Sequence, residues 1–568
     1  MSAQDDQPGP GLVLGPLLRH VGHRDATVWV ETDRSATVSV LGHDARTWEA
    51  GGHHYAVVCV DGLDDGSETT YDVRLDGRVV WPEADDPRPP PRIRTLRTDS
   101  PLTVVFGSCR YARPDAVADD DNFDGDALDA YAKRMAGLPP QRWPDVLLLL
   151  GDQVYADETS RQTKQRIRAR RDTSAPPGEQ VKDFEEFTWL YHESWTDPDV
   201  RWLLSTVPSS MIFDDHDIAD DWNTSADWRR DMQATSWWEE RVIGGLASYW
   251  VYQHLGNLAP QALVKDPLYQ KVTAHDGDCL PMLREFAAAA DREADGQKGA
   301  QWSYRRDLGN VRLLVIDSRC GRMLDNDDRS ILSEAEFGWI ERQVEGDYDH
   351  LLIGTSLPWL LPRALHDVEA WDEVLAAGAR GPRMARLAER FRRGADLEHW
   401  AAFRASFDWL ADLIACVGRA EHSGSSGQPP ATVCVLSGDV HHAYAARADY
   451  DPSVRSVVWQ LTCSPVHNFV PRVMKWAFRL AWSRAAERVT QILLDSIAKV
   501  PAQPLTWTRQ AGPYYGNEIA TLELAGRSAR LRLERAMHTE DDRIELRQVA
   551  ALPLTPDATN GQRQVDQP

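Results

Sequence analysis

Residues 145–157 read DVLLLLGDQVYAD, and this stretch decides how the chain is read. Five apolar residues, Val146 to Leu150, stop at Gly151, and Asp152, Tyr155 and Asp157 follow at once. An apolar strand that ends in small and polar residues is the repeating unit of an α/β sheet. The same grammar recurs from Pro101 onward in LTVVFGSCR (102–110), SSMIFDDHD (209–217), VRLLVIDSR (311–319), HLLIGTSLPW (350–359) and TVCVLSGDVHHAY (432–444). Helical segments lie between them. Ser333 and Glu336 form an S-x-x-E capping box ahead of FGWIERQV. Trp400, Phe403, Phe407, Leu410 and Ile414 repeat at helical spacing, and this spacing predicts core rather than cofactor contacts.

Upstream the grammar is all-β. ATVWVET (26–32), ATVSVLG (36–42), HYAVVCVDGL (54–63) and TYDVRLDG (70–77) are short β-rich runs separated by turn residues. They predict a small β-sandwich over 10–99, whose EADDPRPPPRIRT (83–95) reads as a Pro-rich linker. An α/β domain over 100–552 and a disordered tail over 553–568 complete the expected organisation. Two stretches stand outside this scheme. Residues 159–180 are polar and rich in Lys and Arg, and read as a solvated loop or an anion site. Residues 470–500 read as one long amphipathic helix with a basic, Trp-containing first half, packed over the α/β domain or lying on a membrane surface.

Composition narrows the function classes. With 568 residues and 42% apolar content the chain is long enough for two domains, and its net charge of −24 argues against general nucleic-acid binding. The seven cysteines are dispersed without any CxxC pair, so neither a zinc knuckle nor a disulfide framework is signalled. The segment MSAQDDQPGPG has no basic, apolar or twin-arginine leader character, and no apolar run spans a bilayer; a cytoplasmic location is the expectation unless a leader has been removed.

The strand ends carry the chemistry. They supply Cys109, Asp152 with Tyr155, Asp214 and Asp215 with His216, Asp317 with Arg319, and Asp439 with His441 and His442. Two readings account for DDHD alone: an exposed acidic loop, or carboxylates whose repulsion is relieved by a cation. Donors at five strand ends favour the cation. Thiolate and phenolate suit a transition metal such as iron, carboxylates suit calcium or another hard divalent ion, and a bridging carboxylate would hold a binuclear centre.

GSCR, GDQVYAD, FDDHDIADDW, IDSR and SGDVHHA, in that order behind a β-sandwich, resemble the PhoD-type alkaline phosphatases of the calcineurin-like metallophosphoesterase superfamily. The resemblance implies a four-layer α-β-β-α core of two sheets flanked by helices. It also implies hydrolysis of small-molecule or polymeric phosphate esters, mono- or diesters, at ferric iron partnered by calcium or another divalent ion. Carried over motif by motif, it makes Cys109, Asp152, Tyr155, Asp215, Asp439 and His441 metal ligands, with Asp152 bridging. His216 becomes the histidine beside the phosphate, and Arg110 and Arg319 either hold the phosphate or serve as ion-pair partners. IADDWN lacks the expected early asparagine, so Asp220, Asp221 or Asn223 would serve instead, and IGTSLPW lacks the histidine usual at that strand end. The rival reading is a non-catalytic metal- or partner-binding protein on a phosphatase fold.

Overall fold

A computed structural model describes residues 9–112, 124–296, 299–469, 472–499, 502–541 and 543–556. Two sheets form its centre. The first has six strands in the order Ser209–Ile212, Val146–Leu150, Leu102–Gly107, Glu518–Ala525, Ser528–His538, Ile544–Pro553. The second has seven: Tyr304–Leu308, Val311–Ile316, His350–Thr355, Thr432–Ser437, Val457–Thr462, Ala443–Asp449, Thr506–Tyr514. All six apolar runs read from the sequence are strands.

Apart from the half-buried Thr103 they are fully buried, because both faces are covered. On the Val311–Ile316 strand, Leu313 and Val315 join the core shared with the first sheet, whereas Leu314 and Ile316 pack with Phe407, Leu410 and Ile414 of the helix Arg404–Gly418. Leu128, Tyr131 and Met135 of the helix Ala127–Ala136 join the core of the first sheet. The four-layer arrangement is thus the one expected. Ser333 caps the helix Glu334–Gln343, its hydroxyl accepting from the Glu336 amide.

Parallel pairing positions the site. Leu102–Gly107, Val146–Leu150 and Ser209–Ile212 run parallel in one sheet, and Val311–Ile316, His350–Thr355, Thr432–Ser437 and Val457–Thr462 run parallel in the other. Their carboxyl ends therefore open toward the same rim, and the loops there are cross-linked by backbone bonds. The Cys109 amide donates to Gly151 O (3.1 Å), Gly438 to Ser356 O (2.8 Å) and Val466 to Ser108 O (2.8 Å). Gly438 is a glycine because a Cβ there would lie 2.0 Å from Ser108 Oγ and 2.9 Å from Leu150 O.

The N-terminal strands form two four-stranded sheets around Val28, Val38, Val58 and Trp81. The other face of the first of these sheets joins the main core through Trp29, Trp48 and Tyr55. Arg19, fully buried, donates to the carbonyls of Tyr252 (2.8 Å) and Gln253 (2.7 Å). Such a junction packs the sandwich onto the α/β part as one interior.

Several expectations are corrected. The Pro-rich linker contains a strand, Arg92–Arg94, paired antiparallel with Glu68–Thr70. The basic segment within 159–180 is not an extended loop: Ser160 caps a helix, Arg161–Arg170, and Arg168, Arg170 and Arg171 pair with Glu179, Asp183 and Glu186. The single long helix over 470–500 is two helices, Arg472–Ala481 and Arg484–Ile497, the second capped by Ser483; residues 470, 471 and 500 lie outside the described residues. Pro553 ends the last strand and Leu554 is buried, whereas tail residues 557–568 lie outside the described residues. Among the described residues no helix is long and apolar enough to cross a membrane.

Candidate metal centre

The strand-end residues converge. Ligand atoms of Asp152, Asp215 and His216 lie within 4.8 Å of one another, and so do those of Asp214, Asp215 and Asp439. Cys109 is buried with Sγ 3.8 Å from Asp439 O. The Tyr155 ring lies 4.8 Å from that of His216, tilted by 35°, and its hydroxyl accepts from Asn468 Nδ2 (2.9 Å). His441 sits beside Asp439 and His216, and burial first, then His216, push it down to about 4, so its imidazole is neutral as a ligand must be.

Backbone strain accompanies the cluster. Among the described residues ten non-glycine residues have positive φ, and seven of them surround this rim: Cys109, Asp152, Asp221, Asn223, Asp396, Asp439 and His441. Conformations of this kind cost about 1–3 kcal/mol each and persist where the surroundings over-determine them.

Carboxylate charge is the dominant feature. Buried Oδ1 of Asp152 and Oδ2 of Asp214 have no hydrogen-bond donor, and Oδ1 of Asp215 makes no hydrogen bond but has Arg319 Nη2 at 3.3 Å as an ion-pair contact. Burial, then mutual repulsion, pushes Asp152 and Asp214 far above the usual carboxylate range. A cation between them reverses that. Two unpartnered carboxylate oxygens, the neighbouring Asp215 carboxylate, a thiol, a phenol and a neutral imidazole are a donor set that fits metal ions.

A second tier of residues orients this set. Asp217, buried, accepts from the amides of Asp152 (2.9 Å) and Asp214 (2.9 Å), and so ties two strand-end loops together. His216 Nδ1 donates to Asp157 (2.9 Å), leaving Nε2 on the other side of the ring. Burial alone would lower the His216 pKa, but Asp157 and Asp215 carry it well above the ordinary value; Asp157 is held down at about 2. His399 bridges Glu369 Oε1 (2.7 Å) and Asp439 Oδ2 (2.9 Å).

Both arginines of the sequence reading sit in buried ion pairs. Arg319, with no exposure, pairs with Asp214, with Glu398 (2.6 Å) and with Asp215 (3.3 Å). Arg110 pairs with Asp126 (2.8 Å) and donates to Ser194 O (2.6 Å), while lining a small hollow with Gln153 and Tyr155. Of the alternatives in IADDWN, the exposed Asp220 reaches to 3.8 Å from His216 Nε2, Asp221 donates its amide to Asp215 (3.1 Å), and Asn223 turns away to donate to Arg319 O (3.2 Å). His442 is buried on Val440 O (2.7 Å), stacks on Tyr444 and packs against the tilted ring of Phe478, in a supporting position.

Sequence reasoning passed over Asp157, Glu369, Glu398, His399 and Asn468. Asp157 lay inside the quoted GDQVYAD, and Glu398-His399 directly precedes the apolar series that began at Trp400. An acid–histidine pair just ahead of a core segment was the available signal.

The PhoD-like phosphatase family matches residues 121–489, and DUF7800, a domain of unknown function, matches 9–93. A solved structure of PhoD superposes with a TM-score of 0.54 at 11% identity, covering 96% of this chain and 94% of that one. A purple acid phosphatase, PPD1 from yellow lupin (Lupinus luteus) seeds, superposes at 0.45 and 10% identity, covering 95% and 73%. No curated protein matches the sequence.

Proposed function

Because the chain belongs to the PhoD-like phosphatase family, we propose that it is a metal-dependent hydrolase of phosphate mono- or diesters, working at the rim where Asp152, Asp215 and Asp439 meet. The observation that carries the reading is the pair of buried, unpartnered carboxylate oxygens on Asp152 and Asp214, with the Asp215 carboxylate close beside them. In this reading Cys109 and Tyr155 would hold ferric iron, Asp215, Asp439 and His441 would contribute to a site for calcium or another divalent ion, and Asp152 would serve both. Bound ions supply positive charge that polarises phosphoryl oxygens.

The chain's own groups do the rest. Asp157 fixes the His216 ring through Nδ1, so Nε2 is the atom available to give a proton to a departing alkoxide. Arg319 acts through others: by neutralising Asp214 and Glu398 it holds the acidic loops together, and Arg110 does the same for Asp126 beside the Tyr155 hollow. Both are therefore positioning residues in this proposal.

Metal analysis of the purified protein, paired with hydrolysis of a mono- and a diester, tests it. The expected result is iron plus a divalent ion, with activity that a chelator removes and metal restores. A metal-free preparation that takes up no ion, or a fully loaded one inert on both ester types, overturns the reading.

A further inference from the structure

Among the described residues, seven of the ten exposed large hydrophobic side chains lie on three neighbouring helices. The helix Arg484–Ile497 buries Leu494 toward the protein, and Gln491 donates to Asp367 (3.1 Å) of the helix Arg363–Ala376. The rest of its apolar surface is in solvent: Val489 (55% exposed), Ile492 (72%) and Leu493 (60%) on the far side, with Ile497 (41%) at the edge. The helix Pro382–Gly394 packs by Ala388 into the same small cluster that receives Leu375 and Ala498, and exposes Leu387 and Phe391 one turn apart. Leu480, on the helix Arg472–Ala481, is exposed at 66%.

Charge says what covers this surface. The chain carries −24 overall, yet residues 380–394 hold six arginines against one glutamate, and residues 472–499 hold six basic residues against two acidic ones. Arg380, Arg383, Arg386 and Arg390 are exposed around Leu387 and Phe391, and Arg488 and Lys499 are exposed near the Val489–Ile497 stripe. A second copy of so acidic a protein, or another acidic protein lacking apolar character, satisfies only half of the pattern. An apolar stripe rimmed by cations on an amphipathic helix, too short and too charged to span a bilayer, is the pattern of a helix lying in the headgroup layer.

We propose that the helices Pro382–Gly394 and Arg484–Ile497 form a docking face for an anionic lipid surface, with Val489, Ile492, Leu493, Leu387 and Phe391 entering the acyl boundary and the surrounding arginines meeting lipid phosphates. The inference stands apart from the catalytic reading, since none of these side chains belongs to the metal centre.

Flotation of the full chain with vesicles tests it. The protein should float with phosphatidylcholine vesicles containing phosphatidylglycerol, less with phosphatidylcholine alone, and less as salt rises. Ile492→Ser with Leu493→Ser should weaken binding about tenfold or more, as expected for apolar side chains no longer buried. Arg383→Glu with Arg390→Glu should weaken it about fivefold per charge removed, or more, and flatten the salt dependence. These residues are exposed, so circular dichroism and Tm should stay at the wild-type values. Wild-type protein that remains with the soluble fraction overturns the proposal. So does flotation indifferent to both double variants, or a self-associated species in sedimentation that Ile492→Ser dissociates while no vesicle binding is seen.

Discussion

Replacing Arg319 by methionine keeps an unbranched apolar stem and removes the guanidinium with its charge. In the wild type that guanidinium, with no exposure, faces Asp214, Asp215 and Glu398. Glu398 is held down at about 2 chiefly by Arg319, against its own burial. Removing one member of a buried ion-pair group costs about 3–5 kcal/mol, because the remaining charges stay in a medium that solvates them poorly. A cooperative unit of about 550 residues unfolds with an entropy of about 1.2 kcal/mol/K, so Tm should fall by about 3–4 °C. Bound cations would share the neutralisation, so the deficit should be larger after chelation than in metal-loaded protein. The assay is thermal unfolding of wild type, Arg319→Met and Arg319→Lys, each with and without chelator and with metal content measured. Lysine should recover only part of the loss, since an ammonium lacks the fork that meets several carboxylates at once. An Arg319→Met protein with unchanged Tm after chelation but abolished hydrolysis would refute the reasoning and return Arg319 to the phosphate.

Three further outcomes are expected. His216→Ala should lower kcat/KM for an alkyl phosphate ester about 10²–10⁴-fold while costing a nitrophenyl ester much less, because only the alkoxide needs a proton; equal losses at full metal content would exclude the acid role. Purified protein should show a visible phenolate-to-iron band that Tyr155→Phe removes, and a colourless, active zinc-only preparation would sink the iron assignment. At the junction of the sandwich and the α/β part, burial opposes the charged form of His53, but its hydrogen bonds to Glu185 (2.9 Å) and Glu31 (2.7 Å) raise it to about 9. That raised pKa contributes about 3 kcal/mol below pH 6.5 and loses it as pH climbs through 9, so Tm should fall over that window and Glu31→Gln should flatten the fall.

How much of the site was legible follows from what kind of contact each residue makes. Cys109, Asp152, Tyr155, Asp215, Asp439 and His441 each follow an apolar run within a few residues, so strand periodicity alone placed them at strand ends. Parallel pairing then gathers them without further information. His399 and Glu398 follow no strand: they sit between the helix Pro382–Gly394 and the helix Arg404–Gly418, and reach Asp439 and Arg319 only through the packing of Arg404–Gly418 on the second sheet. The segment 161–170 was misread for a related reason. Its helix has almost no apolar face, and what holds it is ion pairing to Glu179, Asp183 and Glu186, which lie beyond a turn.

By itself, then, the sequence determined the alternation of strands and helices, the donor types at the strand ends and the acidic balance of the chain. All of these are set by hydrophobic period and residue chemistry within a dozen positions. Only the tertiary structure decided which carboxylates are neutralised by arginine and which are left unpartnered. It also decided whether an imidazole is held charged like His216 or neutral like His441, and which amphipathic stripe is packed and which stays in solvent. Those outcomes depend on burial and on charges brought together from hundreds of residues apart, where electrostatic energies change several-fold with the local dielectric.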